Sequence, residues 1–126
     1  KRGQGTRRQA PLPAETPGWW PEMVSVDQEL HAVVAKHGEP TEQGNDFSTF
    51  GNPYWKAAAV EYKRMNDARR EAGRSGHWAK IILEEVFEAL EIQITAETAG
   101  LAYDELIQSA AMCIAAAEDL RKQFGE

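Results

Sequence analysis

The tightest constraint on the fold comes from residues 79–92, AKIILEEVFEALEI. Apolar residues recur there at helical spacing, and Ile81, Glu84, Glu85, Glu88 and Ile92 fall on one stripe. That stripe is apolar at both ends and acidic in its middle. Glutamate is seldom found beside a core. Like charges three or four residues apart also cost a helix about 0.2–0.5 kcal/mol per pair. A helix written this way needs something that offsets its own repulsion.

The remainder of the chain is helical in pattern too. No segment alternates polar and apolar residues with β-branched enrichment, so an all-α fold is predicted. Ser25 with Gln28 forms a capping-box pattern ahead of a stripe of Val26, Leu30, Val33 and Val34, and Gly38 stops that helix. Residues 39–52 read as a loop. Asn52 and Pro53 look like an N-cap and first helical position, opening a second helix that runs to Gly73. Ser75 is placed to cap the third helix. After TAETAG (95–100), the fourth spans 101–124. Short joints favour an antiparallel four-helix bundle.

Residues 1–24 hold four of the six prolines and show no period, so they read as an extended arm with Trp19 and Trp20 docked elsewhere. The organisation predicted is therefore an arm over 1–24 and a helical domain over 25–126. Helices apolar around so much of their circumference are expected to bury a second face in a homodimer or higher oligomer.

The formal charge of −6 argues against nucleic acid as the main partner. Lys1, Arg2, Arg7 and Arg8 all precede the first acid, Glu15, and only this basic arm offers a nucleic-acid contact. A lone Cys113 excludes an internal disulfide framework and reads as a small buried thiol in AAMCIAAA. No run is long enough to span a bilayer, and the basic start leads into QAPLPAETPGWWPE rather than an apolar signal core. A cytoplasmic protein is expected.

The fourth helix carries a stripe that matches the third: Leu101, Glu105, Gln108 and Met112. Antiparallel packing about a turn near 97–98 puts Glu88 level with residue 107, to within about two residues or roughly 3 Å of helix rise. Glu85, Glu88, Glu105 and Gln108 then converge, with Glu84 at the margin and Asp104 as a further candidate. An oxygen-only set of this kind selects a hard cation, Mg²⁺ or Mn²⁺. Neither Glu85 nor Glu105 has the histidine at i+3 that di-iron bundles use. A solvated acidic face, on a helix whose core side is Ile82, Val86, Ala89 and Leu90, would use the same residues. Lys80 stands one turn before Glu84, where it can pair with it or meet an anion.

LEEVFEAL (83–90) followed by YDELIQSAAM (103–112) resembles the EExxE…ExxD signature of the MazG-like all-α NTP pyrophosphohydrolases. The likeness extends to the short actinobacterial and phage members, which share a segment like His37-Gly38-Glu39. It implies Mg²⁺-dependent cleavage of a nucleoside triphosphate to a monophosphate and pyrophosphate. By motif position Glu85, Glu88 and Glu105 would ligate metal, and Glu84 would add a ligand or orient the attacking water. Gln108 stands at the motif's aspartate, where an amide coordinates more weakly and removes a charge. Lys80, Lys56 and Asp104 are the candidate substrate contacts from charged residues, and Trp78 the candidate base platform. A non-catalytic nucleotide- or metal-binding protein of the same fold, or an assembly component, is the competing reading.

Overall fold

The computed structural model describes residues 16–125 and is all-helical among them. Four α-helices follow one another: α1 (Trp20–His37), α2 (Pro53–Glu71), α3 (Trp78–Leu90) and α4 (Ala99–Leu120). One turn of 3-10 helix (Pro40–Glu42) interrupts the first loop, and a π turn (Arg121–Gly125) extends α4.

Local chemistry explains the best-defined start. The Asn52 side chain accepts a hydrogen bond from the Tyr54 N–H at 2.8 Å, and Pro53 takes the first helical position. A cap of this type contributes about 1 kcal/mol. The two other expected starts moved. α1 begins at Trp20, so Ser25 lies inside the helix and residues 20–24 are not an extended arm. α3 is preceded by His77 rather than Ser75, with no side-chain cap, and the Ser75 carbonyl accepts from Arg69 Nε at 2.7 Å in the connection before it. The expected arm over residues 1–15 lies outside the described residues.

Long-range bonds fix how neighbours run. The Gly51 N–H donates to the Leu90 carbonyl at 2.8 Å, so the start of α2 meets the end of α3. Trp78 Nε1 donates to Asp119 at 2.7 Å, so the start of α3 meets the end of α4. Arg121 Nε donates to Glu22 at 2.7 Å and ties the start of α1 to the end of α4. Each of these pairs therefore runs in opposite directions. Packing is densest where α3 meets α2 and α4, whereas α1 touches α4 only sparsely.

The interior is built from small residues. Ala59, Ala89 and Ala102 are buried with Asn66 and Ser109, and no large side chain among the described residues is fully enclosed. Aromatic rings fill the α2–α3 seam, where Phe87 stacks on Trp55 and Tyr62 at centroid distances of 5.8 and 5.7 Å. The expected core stripe of α1 is not covered: Leu30 is 59% exposed and no α1 residue is buried. Cys113 is exposed as well, in a groove it shares with Glu22, Ser25 and Val26 of α1. No helix of the described residues is long and apolar enough to cross a membrane.

Candidate metal centre

α3 is the middle helix of the α2–α3–α4 group, so its acidic stripe cannot turn wholly to water. Glu84, Glu85 and Glu88 are all half-buried, and one carboxylate oxygen from each lies within 4.8 Å of the others. Three carboxylates this close raise one another's proton affinity. Burial, with the charges of Glu84 and Glu105, pushes Glu85 up from the usual carboxylate range. Glu88 is pushed up to about 7, by burial first and then by Glu85, Glu84 and Glu105. Glu105 on α4 therefore faces the same space, as the register predicted, although it stands outside the tight group of three.

Two oxygens here are buried without any partner, Glu85 Oε1 and Glu105 Oε1. Buried acceptors almost always have one. A carboxylate set with unsatisfied inner oxygens and no ion pair fits a hard divalent cation, and Glu85, Glu88 and Glu105 with Glu84 are the residues that would hold it.

Sequence reasoning missed Asn66, which holds this group in place from α2. Its side chain is only 4% exposed. Nδ2 donates to Glu84 Oε1 at 2.7 Å and to the Lys80 carbonyl at 3.1 Å, which fixes both the rotamer of Glu84 and the register of α3 on α2. One signal was available: Asn66 lies seven residues after Ala59, on the same buried face of α2, where a polar residue has to find a partner.

Other candidates lie elsewhere. Gln108 is exposed on α4, and no hydrogen bond joins it to the acidic group. Asp104, beside Glu105, also points to solvent, since a step of one residue turns the side chain about 100° around the helix. Trp78 donates its indole N–H to Asp119 and joins the start of α3 to the end of α4, with its side chain partly exposed. Lys80 makes no ion pair with Glu84, whose Oε1 belongs to Asn66. Lys56 is exposed near the start of α2, and nothing links it to the cluster.

Comparison with family models, with curated proteins and with solved structures yields no match to this chain.

Proposed function

We propose that this chain is a Mg²⁺-dependent nucleoside triphosphate pyrophosphohydrolase, with Mn²⁺ as an alternative ion, built as an antiparallel four-helix bundle. The observation that carries the reading is the half-buried group of Glu84, Glu85 and Glu88, faced by Glu105, in which Glu85 Oε1 and Glu105 Oε1 are buried without a partner. Carboxylates pressed together at this cost make sense when a cation offsets them, and phosphoanhydride hydrolysis needs charge neutralisation above all. Glu85, Glu88 and Glu105 hold the ion in this reading, and the ion, when bound, supplies Lewis-acid neutralisation of phosphate charge. Asn66 occupies one oxygen of Glu84, which leaves the other to order the attacking water. The resemblance of the two motif helices to the MazG-like enzymes points the same way.

The exposed faces support a homodimer or higher oligomer, and a cytoplasmic location is part of the same proposal. Leu30, Leu101, Tyr103 and Ile107 are all more than half exposed, while the interior holds only small residues. Isolated monomers seldom leave so much large apolar surface in water.

The test is release of pyrophosphate from a panel of NTPs and dNTPs with and without Mg²⁺ or Mn²⁺. Metal-dependent release that Glu85→Gln removes would support the reading. No release from any nucleotide would sink it. One observation favours a second reading, a non-catalytic nucleotide- or metal-binding protein: Gln108 at the motif's last position is neutral and exposed. Saturable nucleotide binding without turnover would select it.

A further inference from the structure

Asn66 belongs to a second feature as well, of opposite sign. A cavity of about 140 Å³ is lined by Asn66, Arg70, Arg74, Gly76 and Ile81, where the last turn of α2 and the following connection meet the opening turn of α3. Asn66 Nδ2 is committed to Glu84 and Lys80, so the orphaned Oδ1 is a buried acceptor with no partner.

The surroundings are cationic. Arg74 makes no ion pair among the described residues, while Arg70 shares Asp67 with Lys63. The His77 imidazole is held below its ordinary range by Arg69 first, then by burial, Lys80 and Arg74. α3 opens with no acidic residue in its first turn and no side chain capping its free N–H groups. A helix start of that kind carries partial positive charge and presents donors to an anion. Two guanidinium groups add planar forks that match phosphate oxygens.

We propose that this cavity, floored by Asn66, is an anion subsite for the phosphate chain of a nucleoside triphosphate, gripped by Arg70 and Arg74 beside the start of α3. Asn66 thus joins two halves of one site, the carboxylates that take the cation and the arginines that take the polyphosphate. The nucleotide identity rests on the pyrophosphohydrolase reading. The anion chemistry does not.

The experiment is calorimetric titration of the full chain with inorganic tripolyphosphate in excess Mg²⁺, comparing wild type, R70Q/R74Q, R70K/R74K and E88Q. The expected result is saturable binding by wild type, weakened about tenfold or more in R70Q/R74Q and largely kept in R70K/R74K. Binding by R70Q/R74Q within twofold of wild type would overturn the subsite, as would no binding by wild type. E88Q separates the two proposals. Tripolyphosphate binding that E88Q leaves intact but R70Q/R74Q loses would keep the subsite while counting against the carboxylate cage. Loss in both variants supports the subsite and the cage together.

Discussion

The two faces of the helical group are built on different principles. On one, α2 and α3 are locked by buried polar geometry: Asn66 bonded to Glu84 and Lys80, Gly51 to Leu90, and aromatic rings stacked across the seam. On the other, α1 leans on α4 through a partly exposed ion pair of Arg121 with Glu22. An apolar groove of about 390 Å³ there is lined by Trp19, Met23, Ala111, Ile114, Ala115 and Glu118. The first face constrains its side chains through directional contacts, as chemistry requires. The second offers apolar surface and little geometry, as association requires. In the function proposed above, chemistry belongs to the α2–α3–α4 group and assembly to the surface that α1 leaves open.

The largest effect that can test this contrast is on the carboxylates. Glu88→Gln should lower metal-dependent pyrophosphate release about a hundredfold or more, measured as initial rate at saturating Mg²⁺. The same change should leave metal-free thermal stability equal or higher, because it removes one of the crowded charges. A variant that lost stability in step with activity would place Glu88 in the packing instead.

Next in size is the lock itself. Asn66→Ala strands Glu84 and the Lys80 carbonyl, and should cost about 1–3 kcal/mol in urea unfolding. Arg121→Ala should cost less, because water can replace a partly exposed ion pair. If the order were reversed, α1 would be integral to the fold.

A smaller effect is expected from pH. Glu88 binds its proton more tightly in the folded protein, up to about 7, than in the unfolded chain near the ordinary value of 4.5. Its contribution to stability is therefore full below about 4.5 and is lost as pH rises towards 7. Thermal melts in EDTA should show the melting temperature falling across that window, and Glu88→Gln should flatten the slope. The α1–α4 face should respond in the opposite direction at lower pH. The Arg121 hydrogen bond holds Glu22 below its usual range, so that pair is weakened only as Glu22 takes up its proton.

The smallest effect should come from Gln108→Asp. Because Gln108 is exposed and apart from the cluster, Mg²⁺ affinity should move less than with Glu105→Gln in parallel calorimetric titrations. A large gain in affinity would bring α4 closer to α3 than it stands here.

Much of this was legible in local patterns. Asn52-Pro53 announced α2 because cap and first turn are adjacent in sequence, and the spacing of Glu84, Glu85 and Glu88 put them on one stripe. Glu105 could be placed opposite because a short turn leaves the register little freedom. The misplacements share another cause. α1 starts at Trp20, with Pro21 in its first turn as the local signal and a tie from Arg121 to Glu22 roughly a hundred residues away that no window of sequence contains, while Ser25 and Gln28 mimic a cap inside the helix. Asn66 was overlooked because its importance depends on two partners from another helix. Gln108 was over-read from a motif whose last position this chain leaves in solvent.

Gly51 carries a consequence for how the sequence can vary. Its φ of +87° suits glycine, and a Cβ there would lie 2.7 Å from the Gln93 side chain and 2.8 Å from its backbone. Gly73 shares the left-handed backbone, at φ +69°, but has open space around it. In a library covering every substitution, Gly73 should accept asparagine while Gly51 accepts almost nothing. A chain under selection would therefore lose Gly51 only together with a rebuilt 91–98 turn, and the two segments should change as a single inherited block.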